Sequence, residues 1–321
     1  MCRRAAETAA ATKSIIMQPI RLQKLIDMSV PNDGYSLVRQ SVANDGALLL
    51  LSTQPALASA VRETDTANSV VFSKTTVDRT ATYRLSTLRV DGMRQTIELP
   101  PLDAGFSHVD MFPDGKILLV APRCGWKASG VYDSNGVVFD PATGKQSHIH
   151  LGDGIDRAYV DAFGRIWVAY FDEGVFGGSI GSAGLVCFSE RGDTIWTYPA
   201  DDRMADCYAL NVSNAEAAIF FYTEFPLCRI SSDFKLTYWT TGLAGCHEFA
   251  ISETAVLFSG QYKDPPDAAY LGRFEADGSL NRHRVQLQLP NGAPVPKGQL
   301  LGRGRHMYFF DSHGVYRTSL D

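Results

Sequence analysis

The chain has 321 residues, 45% hydrophobic, 20% charged and 11% aromatic, a balance that supports a sizeable buried core and excludes a disordered, collagenous or coiled-coil chain. Lys and Arg number 30 against 35 Asp and Glu, and the resulting formal net charge of -5, with no basic patch to offset it, excludes nucleic acid as the expected partner. The longest obvious apolar run, Ala47 to Leu51, is far short of the roughly 18 residues of a membrane span, so no membrane partner is expected either.

The opening MCRRAAETAAATKSIIMQP has two arginines but no apolar stretch before a cleavage site, so it reads neither as a secretory nor as a lipoprotein signal. Residues 1–14 are expected to be a disordered tail, and 15–321 a single domain. The six cysteines, at 2, 124, 187, 207, 228 and 246, form no CxxC pair, which predicts free thiols and a cytoplasmic location.

Along the domain, turn residues followed by a short apolar run recur. The windows are ANDGALLLL at 43, FPDGKILLV at 112, AFGRIWVAY at 162, NAEAAIFFY at 214, SETAVLFSG at 252 and GRGRHMYFF at 302, with a mean period of about 52 residues. Each reads as a tight hairpin leading into a buried strand, because a helix would need a longer run. A second turn follows in VVFDPATGKQSHIH, VCFSERGDTIWTY, CRISSDFKLTYW and GRFEADGSLNRHRV, giving four strands per unit. Repeated four-stranded units without helical periodicity predict an all-β, six-bladed β-propeller of antiparallel blades. The blades are expected at 36–100, 106–151, 155–199, 207–242, 246–289 and 298–321. The last lacks a strand, which residues 18–30 supply, so that an N-terminal strand closes the ring onto the C-terminal blade.

In such blades the first and third hairpins share one face, and the middle loops and blade connections share the other. The first face carries turns that look too tight for a site, such as 113–115 and 142–144. The long segments 52–69, 121–136, 170–184 and 260–269 crowd the second, where a functional site is expected. Candidate ligand-binding residues there are His108 and His247 at the starts of innermost strands, Arg123 in APRCGW, Asp153 and Asp156 in GDGID, Asp172 and Glu173 in YFDEG, Asp206 in ADCYALN and Glu224 in YTEFP. Arg123 is the one cation placed among these acids and is expected to pair with protein. Converging hard oxygens suit Ca²⁺ or another divalent metal, with Asp156, Asp206 and Glu248 as candidate ligands. Turn chemistry explains Asp before Gly equally well. Cys124, Cys207 and Cys246 lie near this face, where buried, unliganded thiols are the commoner arrangement. GGSIG at 177–181 matches the GxSxG string around Ser179, but no strand-turn-helix context follows, so no nucleophile is assigned.

The segments GDGID, GRIWVAYFDEGVFG, DCYALN and YTEFPL resemble an uncharacterised bacterial family of six-bladed propellers, a likeness covering most of residues 106–260. More distantly, the blades are similar to those of NHL-type and gluconolactonase-like (regucalcin-like) propellers. The lactonase-like resemblance implies an axial divalent metal held by a Glu, an Asn and an Asp, for which Glu248, Asn211 and Asp156 match by type. Two functions follow as expectations. One is a binding module presenting the long-loop face to a small polar molecule or protein partner. The alternative is a divalent-metal-dependent hydrolase of lactones or esters.

Overall fold

The computed structural model describes residues 18–28, 34–55, 62–65, 70–73, 76–125, 133–177 and 180–321. The expected tail over 1–14, and Ser179 of the GxSxG string, lie outside the described residues.

Strands β1 (Gln18–Arg21) and β2 (Gln23–Asp27) precede the first blade, which is built from β3 (Ser36–Val42), β4 (Leu48–Thr53), β8 (Tyr83–Leu88) and β9 (Arg94–Glu98). The excess length of this unit, expected over 52–69, extends from β4 to β8. It carries β5 (Arg62–Asp65) paired with β6 (Val70–Ser73), and β7 (Thr76–Ala81) paired with β10 (Leu102–Ala104). Blade 2 is β11 (His108–Met111), β12 (Ile117–Val120), β13 (Gly136–Asp140) and β14 (Lys145–Ile149). Blade 3 is β15 (Ile155–Val160), β16 (Ile166–Tyr170), β17 (Leu185–Phe188) and β18 (Thr194–Thr197). Blade 4 is β19 (Asp206–Ser213), β20 (Glu216–Tyr222), β21 (Leu227–Ile230) and β22 (Leu236–Trp239). Blade 5 is β23 (Phe249–Ile251), β24 (Ala255–Ser259), β25 (Ala268–Phe274) and β26 (Leu280–Gln288), and blade 6 is β27 (Gln299–Arg303), β28 (His306–Phe310), β29 (Gly314–Ser319) and β2.

Each apolar window is the second strand of a blade, and its unbroken hydrophobicity has a geometric cause. Side chains alternate across a sheet, so a strand flanked by neighbouring blades on both sides must be apolar at every position. In β12, Ile117 and Leu119 enter the core shared with blade 1, whereas Leu118 and Val120 enter the core shared with blade 3. One such core lies at every interface around the ring, the last joining Val42 and Leu48 of blade 1 to Tyr308 and Phe310 of blade 6. Burial fades outward, and only Ile149 of β14 is buried. The turns entering the second strands follow their sequence. In FPDGK, the Phe112 N–H donates to Lys116 O at 2.8 Å and Gly115 takes a φ of +88°, a conformation that glycine adopts without cost.

The N-terminal segment closes the ring, with a division of labour that its sequence does not show. Of the residues 18–30 expected to complete the last blade, only β2 does so, running antiparallel to β29 with Gln23 opposite Arg317. β1 instead lies parallel to β26 as a fifth strand of blade 5, with Gln18 opposite Val285. Between them Leu22 is driven into the core of blades 5 and 6. Because this one segment covers two sheet edges, deleting residues 1–27 should abolish the single cooperative unfolding transition. Denaturant titration monitored by far-UV circular dichroism and Trp fluorescence would check this, and coincident, wild-type-like transitions would disprove the closure.

Candidate functional site

The connections of the long-loop face are positioned by close backbone contacts that the glycines allow. Gly154, at a φ of +73°, lies so near the short helix Asp172–Phe176 that a Cβ there would stand 2.4 Å from Gly174 N. The Phe171 N–H also donates to Gly154 O at 3.0 Å. The GDGID turn and the helix carrying Asp172 are thereby clamped together. Trp167 and Tyr170 of the same segment are fully buried, and the Tyr170 hydroxyl donates to Leu151 O.

Innermost strands β3, β15 and β19 each carry a register shift at their long-loop end. In β15 and β19 the extra residues are Asp156 and Tyr208, so both bulges re-aim a side chain at the mouth of the ring. Asp156 is followed at once by Arg157, whose Nη1 donates to Asp156 Oδ1 at 2.9 Å. Across the mouth, Arg157 Nη2 reaches Glu248 Oε1 at 3.1 Å, while Glu248 Oε2 accepts the Gly302 N–H at 2.9 Å. Burial opposes charge on Arg157, but Asp156 and Glu248 outweigh it and hold its pKa above the ordinary arginine value. Burial likewise raises the Glu248 carboxyl, and Arg157 partly counters it. Among the described residues, Asp156 Oδ2 is enclosed without a hydrogen-bond donor.

Asp206 opens β19 beside these groups. Burial first, then the charges of Asp156 and Asp172, push its pKa up to about 7. An aromatic wall adjoins the acids. The His247 ring stacks on Tyr208 at 5.0 Å, Phe225 meets Tyr208 edge-on at 5.1 Å, and the Tyr262 hydroxyl donates to the Tyr208 oxygen. Gly245, at a φ of +70°, makes room for the Tyr262 ring, which would otherwise be 2.4 Å from a Cβ. Tyr222 and Tyr262 remain about half exposed, at 46% and 51%.

The expected acidic rim therefore divides in two. Asp156, Asp172, Asp206, His247 and Glu248 gather at the mouth. Asp153 and Glu173 form a separate group around Arg123, whose Nη1 lies 3.6 Å from Asp153 Oδ2 and whose Nη2 bonds Glu173 Oε2. Arg123 thus pairs with protein as expected, but it is not the one cation among the acids, because Arg157 occupies the mouth itself. Glu224 is exposed on the β20–β21 turn, with no ion pair among the described residues. His108 is buried at the start of β11.

Among the described residues, no three His, Cys, Asp or Glu side chains are disposed to hold one metal ion. Glu248 has both oxygens engaged, and Asn211 lies at the opposite end of its strand. There its amide bonds Phe249 O at 2.6 Å and both the N–H and O of Gly304, a structural staple between blades 4, 5 and 6. Cys124, Cys207 and Cys246 are free thiols, with burial pushing Cys124 and Cys246 up to about 12.

The short-turn face is not closed by its turns. Its turns are tight, yet a cavity of about 930 Å³ opens there between the first hairpins of blades 1, 4, 5 and 6. Short turns near the axis do not reach far enough to fill the funnel that the converging blades leave.

No family model matches the chain, and no curated protein matches it in sequence. Among solved structures it is similar to a streptogramin B lyase, with a TM-score of 0.50 and 13% identity over 94% of this chain and 97% of that one. It is also similar to virginiamycin B lyase from Staphylococcus aureus, at 0.48 and 11% over 94% and 99% of the two chains. The PQQ-bound aldose sugar dehydrogenase from Streptomyces coelicolor aligns at 0.49 and 9% over 94% and 98%. At these identities the likeness is one of fold, that of the β-propeller. No helix among the described residues is long and apolar enough to cross a membrane.

The raised Asp206 carboxyl has a pH signature. With a folded pKa of about 7 against an ordinary value of 3.8, it is protonated in the fold and ionised in the unfolded chain between those values. Its contribution to stability is complete below about pH 4 and is lost as the pH rises through about 7. Asp206→Asn should melt above wild type at about pH 8, with the gap narrowing towards about pH 4. A gap that does not change with pH in differential scanning calorimetry would contradict the assignment.

Proposed function

We propose that the protein is a β-propeller binding module whose long-loop face takes a small polar ligand bearing positive charge, held between Asp156, Asp172 and Asp206 and the wall of Tyr208, His247 and Tyr262. The observation that carries this reading is Asp206. Its carboxyl is pushed up to about 7 by burial and then by the charges of Asp156 and Asp172, so above that pH it adds its charge to theirs, while Arg157 and Arg39 act on the adjoining Glu248. Arg157 is already shared between Asp156 and Glu248. An organic cation would relieve the repulsion and place its charge against the faces of the tyrosines, an attraction worth about 0.5–2 kcal/mol per ring.

A metal-dependent hydrolase of lactones or esters has less support at this mouth, because Glu248 would have to leave both Arg157 and Gly302 N to ligate. The binding reading requires no such rearrangement and no nucleophile.

Thermal melts at about pH 8 with putrescine, choline and Ca²⁺ test both readings. A ligand at a hundredfold excess over Kd stabilises the native state by about 2.7 kcal/mol, which a melt resolves readily. Putrescine or choline should raise the wild-type Tm and raise that of Asp206→Asn and Asp156→Asn much less. A shift with Ca²⁺ alone, accompanied by lactone or ester hydrolysis, would replace the binding reading with the hydrolase. No shift with any of the three would overturn the cationic-ligand reading.

A further inference from the structure

The aromatic wall of the long-loop mouth ends on an open ring. His247 is exposed, although the Tyr208 ring stacks on it at 5.0 Å with an interplanar angle of 19°. Tyr208 covers one face of the imidazole, so the surface left open is the opposite face and the outer edge. Partial burial lowers the His247 pKa from its ordinary value of 6.5, and the ring is neutral at about pH 8. The stack has a fixed base. Phe225 and Tyr262 stand nearly perpendicular to Tyr208, at 5.1 and 6.1 Å, and the Tyr262 hydroxyl donates to the Tyr208 oxygen. Tyr222 and Tyr262 are about half exposed beside it. Open aromatic surface next to a few convergent polar groups is the composition of a small-molecule site.

The polar group beside this wall is Asp206. Among the described residues its carboxylate accepts no hydrogen bond and forms no ion pair, and the charges acting on it are those of two acids, Asp156 and Asp172. The residue is only half-buried, and its oxygens remain open to solvent. Its two acidic neighbours already have donors. Asp156 Oδ1 accepts from Arg157 Nη1 at 2.9 Å, and Asp172 Oδ1 accepts the Glu173 N–H at 2.7 Å. Asp206 also acts on Tyr208, two residues further along β19, and Asp156 acts on both Asp206 and His247. The open carboxylate and the open end of the stack therefore border one space.

Resting on the cationic-ligand reading of this mouth, we infer that its ligand class is an arylalkylammonium. A flat aromatic ring stacks on the open face of His247, and a short alkyl chain joins it to a protonated primary or secondary amine whose N–H groups donate to Asp206. Each half of the ligand answers to one observation. An anionic acceptor without a donor favours a cation bearing N–H over a quaternary ammonium, because a charge-assisted hydrogen bond adds to the Coulomb attraction. A stack that ends on an open face favours continuation by another ring, since aromatic pairs contribute beyond the apolar area they bury. Putrescine supplies the N–H groups without the ring, and choline supplies neither.

Isothermal titration at about pH 8 with phenethylamine, its N,N,N-trimethyl derivative, 2-phenylethanol, putrescine and choline tests the inference. Phenethylamine should bind about tenfold more tightly than putrescine and than its own trimethyl derivative, and 2-phenylethanol should bind more weakly than any of these. Asp206→Asn should weaken phenethylamine by more than about tenfold. His247→Ala should bring the phenethylamine-to-putrescine affinity ratio from about ten to about one, and His247→Phe, which keeps a ring, should restore it. If His247→Ala does not fold, the ligand comparison on the wild type decides. Phenethylamine binding no tighter than putrescine, a trimethyl derivative that binds as well as phenethylamine, or a ratio unchanged in His247→Ala would overturn the arylalkylammonium class while leaving the cationic-ligand reading in place. Failure of phenethylamine, putrescine and choline alike would overturn both.

Discussion

Every second strand of this propeller is apolar on both faces, so no blade can be stable without a neighbour on each side. Alternation sends Ile117 and Leu119 one way and Leu118 and Val120 the other, and the same division recurs at each interface. At about 25 cal/mol per Å² of apolar surface, an unclosed ring would leave two such faces in water. Closure is therefore the condition on which the other features rest. It is met by Gln23–Asp27 on the last blade, with Leu22 fastening the segment into the adjacent core.

Closing six blades brings six innermost strands together, and their polar groups must then find partners across the axis. Two arginines meet part of that requirement from opposite ends. Arg157 joins blades 3 and 5 through Glu248 at the long-loop end, and Arg303 joins blades 6 and 2 through Asp110 at the other. Asn211 adds a third tie from blade 4 to blades 5 and 6. Removing one partner of such a buried pair leaves an uncompensated charge, which is typically worse for stability than never having had the pair. The axial network thus sets the register of blades distant in sequence. Among the described residues it also leaves specific atoms unmatched at each end, Asp156 Oδ2 at one and Arg303 Nε and Nη1 at the other.

The two faces owe their difference to loop length and to bulges. On the long-loop face, connections cross the top of the ring, and bulges at Asp156 and Tyr208 turn an acid and an aromatic towards one mouth. On the other face the hairpins stop short of the axis, so the space between them stays open. One fold in this way holds an acidic, aromatic mouth and an open cavity at opposite ends of one axis.

The sequence by itself determined the number of blades, the strands within them and the face on which each loop lies. These follow from local rules: DG and NDG turns, two-residue alternation and apolar runs of strand length are all written within a few residues of one another. It also placed Asp156, Asp172, Asp206, His247 and Glu248 on one face. It did not divide the acids into a mouth group and an Arg123 group, because that division depends on how far each blade connection stands from the axis. Nor did it reveal Arg157 or Arg303 as axial residues, although a charged residue inside an innermost strand, as in IDRAYV, was the available signal. Their partners lie 91 and 193 residues away, and no local pattern encodes a contact across the centre of a ring. The same holds for the cavity of the short-turn face, since the volume between turns is a property of how the blades converge, decided only when the ring closes.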